Sequence, residues 1–215
     1  MNDLIVFYNG YRGGIELPRA EKDGEQWRSG VRNLGIENFA AHGIQGRAVL
    51  VDLHAHVGGG DRVSVGYEQL MQIMKLDEVT IEAGDILMIH TGFAQQLVDW
   101  GGEPDPDRIH KVCSVLDGRD QQLLQWITDS QIAAIVADNY AVEDATADKP
   151  AGPCAKLPLH EHCLFKLGVP LGEIWYISEL AAHMRQAGRS RMMLTAPPLR
   201  LPGAVGSPVT PIATV

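Results

Sequence analysis

The sequence predicts an α/β protein built on a mixed sheet with packed helices, and three observations carry that prediction. Short, nearly continuous apolar runs recur at RAVLVDL (47–53), ILMIH (86–90) and IAAIVAD (132–138), which suits strands covered on both faces. Between them lie segments with apolar residues three and four apart, YEQLMQIMK (67–75) and QQLLQWIT (121–128), the spacing of amphipathic helices. The intervals are too uneven for a repeated βαβ unit, so a mixed sheet fits best.

Taken in order, the first forty or so residues hold glycines and charges with little periodicity, YNGYRGG and then PRAEKDGEQWRSG. Residues 1–45 are therefore expected to be extended or to need a partner for order. The first strand ends at Asp52 and Leu53, and HAHVGGGDR reads as a loop whose glycines permit close turns. The stretch 67–75 has helical spacing through Leu70, Met71 and Met74. Gly84-Asp85 punctuates the second strand, which runs into Thr91-Gly92. WGGEPDPDR (100–108), with two prolines among acids, is a surface excursion. The helix over 121–128 leads to the third strand, then to a loop over 144–153. Helices are expected over 157–167 and 173–186, and RMMLTAPP is a last strand stopped by Pro197 and Pro198. The turns in GAVGSPVTPIATV suit backbone laid across a site.

A chain of 215 residues and 23.4 kDa is most simply one domain, 1–215. Lys plus Arg is 18 against Asp plus Glu at 27, a net charge of -9 without a basic run, so nucleic acid is an unsuitable partner. Three cysteines without a CxxC pair argue against a disulfide framework and a thiolate zinc site. No signal peptide or membrane-length apolar run is legible, and a cytoplasmic location is expected. Neither a GxSxG elbow nor a GK[ST] phosphate loop is present.

The stretch LHEHCLFKLGVPLGE (159–173) holds the main candidates. On a helix from Leu157, His160 falls between Leu157 and Leu164 on the predicted core face. Glu173 opens the next predicted helix, with Ile174, Ile177 and Leu180 as its apolar face. A helix hairpin would join His160 to Glu173, and a nitrogen and an oxygen donor suit zinc or manganese. The alternative is a buried histidine on a backbone carbonyl and a glutamate serving as a helix-terminal charge. His54 and His56 have the HxH form, for which an exposed loop pair is the simpler account. His90 ends a strand before Thr91-Gly92, either in a cleft or in a tight turn. Cys154 and Cys163 lie near His160 and His162, and Cys163 is taken as a core residue in preference to a nucleophile. Met71, Met74, Met192 and Met193 read as core filler.

Across nearly the whole chain, YNG (8–10), GIQGRAVLVDL (43–53), GDILMIHTGF (84–93), AAIVADNYAVED (133–144), LHEHCLFKLGVPLGE (159–173), EL (179–180) and APPLRLPGAVGSPVTPIA (196–213) resemble the cyclase family that includes bacterial kynurenine formamidases and isatin hydrolase. The resemblance implies a swivelling β/β/α type of α/β fold, a homo-oligomer, and manganese- or zinc-assisted hydrolysis of an amide, lactam or related acyl bond of a small molecule. It implies that His160 and Glu173 are metal-site and catalytic positions and that Asp138 and Asn139 form a turn near the pocket, while His90 stands where many relatives have a different residue; Asn9, His90 and Asn139 are taken as candidate substrate-binding residues. Family members carry an HxGTHxDxPxH stretch before the YNG segment, which this sequence does not contain. Three readings follow: a hydrolase whose missing ligands come from a longer chain or a partner, an altered site using His160, Glu173 and His90 or His56, and a catalytically silent binding or subunit-interaction protein.

Overall fold

The apolar runs form the centre of the sheet, and the residues at their C-terminal ends set up the chemistry. In the computed structural model, which describes residues 7–13, 15, 17, 21–23, 26–28, 31–148 and 151–215, the elements in chain order are β1 (Glu21–Asp23), β2 (Gln26–Arg28), α1 (Glu37–His42), β3 (Gln45–Asp52), α2 (Leu53–Val57), β4 (Val63–Val65), α3 (Tyr67–Leu76), β5 (Ile86–His90), α4 (Phe93–Asp99), β6 (Ser114–Leu116), α5 (Gln121–Ser130), β7 (Ala134–Ala137), α6 (Pro158–His160), a π-helical segment (Glu161–Leu167), β8 (Leu171–Gly172), α7 (Ser178–Gln186), β9 (Arg191–Thr195) and β10 (Ile212–Thr214). The sheet is six-stranded and mixed, in the order β10-β9-β3-β5-β7-β8.

Two compact units divide the chain. The larger, Arg47–Met192 with Val215, contains the parallel run β3-β5-β7-β8, whose register sets Asp52 opposite His90 and Ile89 opposite Ala137. Its core joins Val49, Val51, Leu87, Ile89 and Ile135 of the strands to Leu70, Ile73 and Met74 of α3 and Leu123, Leu124 and Ile127 of α5. Asp120 ties the two helices together: it caps α5 through the Gln122 and Leu123 N–H groups and also accepts the Tyr67 N–H at 2.7 Å. The short parallel pair β4-β6 belongs to the same unit. The smaller unit, Met1–Gly46 with Met193–Thr214, contains the β1-β2 hairpin, and in it Thr195 of β9 pairs antiparallel with Ile212 of β10.

Several expectations are corrected. His54 and His56 lie on a helical turn, α2, because the Asp52 carboxylate accepts the Ala55 N–H and caps it. No element is predicted directly after Gly92; the chain there forms helix α4, entered through Gly92 at φ 84, a left-handed conformation that glycine adopts without steric cost. The helix expected from Glu173 starts only at Ser178: Ile174 is left-handed at φ 55 and 53% exposed, and the buried face is Ile177, Ala181 and Met184. The segment over 157–167 is helical, but its π-helical portion changes the phase of the faces. Leu159 and Cys163 are the buried residues, whereas Leu164 is exposed. Met193 is exposed too, since β9 alternates with Met192 and Leu194 inward. The C-terminal stretch ends in strand β10.

Candidate functional site

Glu143 is the anchor of the 159–173 site. Two residues in the left-handed region, Ala141 at φ 67 and Val142 at φ 55, turn the chain just ahead of it, a costly conformation for a β-branched residue that surrounding contacts must hold. Those contacts come from β6: the Leu116 N–H donates to the Val142 carbonyl and the Asp144 N–H to the Leu116 carbonyl, both at 3.0 Å. The carboxylate fills the space left by Gly118, where a Cβ would collide with it. It is 1% exposed and fully engaged: Oε1 accepts the His160 N–H and Nδ1–H, each at 2.8 Å, and Oε2 accepts the Leu159 N–H at 3.0 Å.

On the other side of the ring, His160 Nε2 lies 3.1 Å from Glu173 Oε1. Glu173 follows β8 and is steadied by the Ile174 N–H on the Asn139 carbonyl at 2.9 Å and the Trp175 N–H on the Ala137 carbonyl at 3.2 Å. The expected pairing of His160 with Glu173 is therefore present, built from a π-helix, a strand and a turn in place of a helix hairpin. Burial disfavours a charged His160, yet the hydrogen bonds it donates to Glu143 and Glu173 prevail and raise its pKa to about 9. The bond to His160 holds Glu173 below the ordinary carboxylate range against the opposing effect of burial.

The C-terminal ends of β3, β5 and β7 present a second group of polar residues, as expected of parallel sheets. Asp138 is fully buried; Oδ1 accepts the Thr91 N–H and hydroxyl and Oδ2 the Gly92 N–H, all at 2.7 Å. His90, 4% exposed, donates from Nδ1 to Asp52 at 2.8 Å, and Asp52 is also paired with Arg185. The Asn139 side chain donates to the Ser114 and Val142 carbonyls. His54 contacts the Thr91 carbonyl at 3.2 Å, His56 pairs with Asp77 at 2.8 Å, and His162 meets the Thr128 hydroxyl at 2.8 Å. Cys163 is buried and its thiol is pushed up to about 12 by desolvation, which suits a core residue. Asn9 belongs to the smaller unit, exposed in a 3-10 turn at φ 56. Sequence reasoning passed over Glu143, although an acid directly after the apolar Ala141-Val142 pair in AAIVADNYAVED was a signal for it.

The His160 group fits a metal in kind and falls short in number. A ligating histidine ordinarily gives its second N–H to a carboxylate, as Nδ1 does to Glu143, and Nε2 and Glu173 Oε1 are close enough to share one ion. Two donors are fewer than the three protein ligands of catalytic zinc, and no group of three or more His, Cys, Asp or Glu among the described residues is arranged to hold an ion.

The fold and this site define a mixed α/β protein with a histidine clamped between two carboxylates beside the parallel sheet. The sequence profile of the cyclase family, described as "Putative cyclase", matches residues 23–144, and the chain belongs to that family. Among solved structures, one described as a novel cyclase is 31% identical with a TM-score of 0.76 over 98% of this chain. A potential metal-dependent hydrolase with cyclase activity shares 18% identity at TM-score 0.50 over 79%, and isatin hydrolase A from Labrenzia aggregata shares 14% at 0.60 over 83%. The last two likenesses concern the fold alone. This chain spans 64% of the length of each of the three. No curated protein matches the sequence. No helix among the described residues is long and apolar enough to cross a membrane.

Proposed function

We propose that the protein is a hydrolase or cyclase acting on an amide, lactam or related acyl bond of a small molecule, with His160 and Glu173 as two ligands of a manganese or zinc ion. The observation that carries this reading is the His160 clamp: Nδ1–H is fixed on buried Glu143 while Nε2 and Glu173 Oε1 converge at 3.1 Å. Membership of the cyclase family supports it. A bound ion of this kind polarises an acyl oxygen and makes water a better nucleophile at neutral pH.

The residues themselves have separable tasks in this reading. Glu143 keeps the proton on Nδ1 and orients the ring, so Nε2 is the nitrogen that faces the reacting centre. Glu173 supplies an anionic oxygen beside it, and the proton shared by the pair leaves when an ion takes its place. The remaining ligands are assigned to residues outside this pair, from another part of the polypeptide or a second subunit, and the active form is a homo-oligomer or a complex with such a partner. His90 and Asn139 are retained as substrate-side positions.

One observation favours a second reading. With both ring nitrogens engaged by carboxylates, His160 also makes a complete ion-pair network, as a catalytically silent binding protein would keep for structure. Elemental mass spectrometry of protein purified without chelator separates the two. The hydrolase reading expects about one manganese or zinc per chain, the zinc occupancy of a mononuclear site, lost in Glu173→Gln with the fold retained. Failure to bind either metal after its addition sinks that reading.

A further inference from the structure

We propose that Ser178, His90 and Asp52 form a second hydrolytic centre, independent of metal, in which Ser178 is acylated by a small ester and then released by water. The inference does not rest on the His160–Glu173 pair, with which it shares no hydrogen bond, although His90 also stands among the substrate-side positions of that reading.

The parallel register of β3 and β5 sets Asp52 opposite His90 at the strand ends. Asp52 Oδ1 and His90 Nδ1 are 2.8 Å apart. A carboxylate only accepts, so in a neutral ring the single proton sits on Nδ1 and Nε2 is left as an acceptor. That nitrogen lies 3.3 Å from Ser178 Oγ, so the hydroxyl donates to it. Nucleophile, base and orienting carboxylate thus stand in the order that activates a serine, whichever order they take in the chain. Ring neutrality has a physical basis: burial lowers the His90 pKa, opposed by the Asp138 charge. The groups facing the ring are Asp52 from β3, His54 from α2 in an edge contact at 5.4 Å, Asp138 beyond β7 at 4.0 Å and Ser178 of α7.

Asp52 is itself fixed, accepting the Ala55 N–H on Oδ1 at 3.1 Å and Arg185 on Oδ2. Ser178 is half-buried at the start of α7, and it lines a cavity of about 320 Å³ with His90, His54, Gln96 and Arg185. That volume lies at the small end of ligand pockets, which selects a short acyl group. The Gln96 carboxamide has no hydrogen-bond partner among the described residues and is available to a developing oxyanion.

In the reaction the Ser178 hydroxyl proton passes to His90 Nε2 as Oγ bonds to the acyl carbon. Collapse breaks the ester C–O bond, and the leaving alcohol takes the proton from His90. Water then adds to the acyl-serine with its proton going to His90, and the carboxylic acid departs as Ser178 Oγ regains a proton.

The test uses a fluorophosphonate on the purified protein in chelator, followed by intact mass and peptide mapping. The expected result is a single adduct on Ser178, absent in Ser178→Ala and formed at least about 100-fold more slowly in His90→Gln, the contribution of a positioned base. Asp52 acts through His90 as a positioning residue, so its variant carries a second readout. In Asp52→Asn, labelling slows and the ring ¹⁵N shifts of His90 move from the Nδ1–H to the Nε2–H tautomer as the amide donates in place of the carboxylate. No adduct on folded wild-type protein, an adduct elsewhere, or an unchanged rate in His90→Gln overturns the proposal. The wild-type ¹⁵N spectrum decides independently of how the variants fold, since an Nε2–H ring could not take the serine proton.

Discussion

Replacing Glu143 by glutamine tests the clamp on His160 most directly. His160 holds its proton to about pH 9 in the folded protein against 6.5 ordinarily. The folded state therefore binds more protons between those values, so this contribution to stability is complete below pH 6.5 and is lost as pH rises through 9. At about 1.4 kcal/mol per pH unit, the loss over that window is about 3 kcal/mol for a ring with 22% side-chain exposure. Glutamine keeps one carbonyl oxygen for the His160 donors, removes the charge and turns an amide NH₂ toward the Leu159 N–H. Below pH 6.5 the substitution should cost about 3–5 kcal/mol, as breaking a buried pair does, and above pH 9 about 1–3 kcal/mol for the buried donor left unpaired. Urea midpoints of chelator-treated wild type and variant, taken at pH 6, 7.5 and 9.5, measure the difference, which isolates His160 from other titrating groups. A wild-type midpoint that stays level across the window, or a variant that falls as steeply, would refute the reasoning.

Gly118→Ala places a methyl group against the Glu143 carboxylate; a loss of about 1–3 kcal/mol from overpacking is expected in urea, with a flattened pH dependence from 6.5 to 9. Asp138→Asn puts an NH₂ against the Thr91 or Gly92 N–H and should cost about 2–4 kcal/mol in the same assay, so a loss below about 1 kcal/mol contradicts the assigned bonds. Leu159→Ala, at a fully buried position, should cost about 2–5 kcal/mol in the same urea assay, and on the proposed metal reading it should also weaken zinc binding in calorimetry by loosening the turn that presents His160.

Legibility followed the range of the forces involved. The strands at 47–53, 86–90 and 132–138 and the helices at 67–75 and 121–128 were readable because burial imposes a period on the residues themselves. The start of α7 was misplaced because the Ile174 and Trp175 N–H groups are taken by the Asn139 and Ala137 carbonyls, contacts distant in the chain that no helical period encodes. The face of the 157–167 helix was misassigned for Leu164, which turns outward within the π-helical stretch, whereas Cys163 is inward as its core reading expected. His160 and Glu173 were legible as a pair by their frame, whereas Glu143 and Gly118 matter only through contacts across 17 and 25 positions of chain.

The two polar groups differ in a way that bears on function. Around His160 one carboxylate accepts from each ring nitrogen, Glu143 from Nδ1 and Glu173 from Nε2, and together they favour the doubly protonated ring, whose Nε2 would become a ligand only by giving its proton up. At the ends of β3 and β5 one carboxylate faces Nδ1, the Asp138 charge is spent on three donors from residues 91 and 92, and burial keeps the ring neutral. A neutral imidazole with a free acceptor nitrogen is ready to take a proton, while a clamped imidazolium is not. The same residue type thus reaches opposite protonation states within one unit through the number of acceptors the backbone places around it. On the two proposals, acid–base work without metal would fall to His90, and His160 would enter the chemistry only once an ion displaced its Nε2 proton.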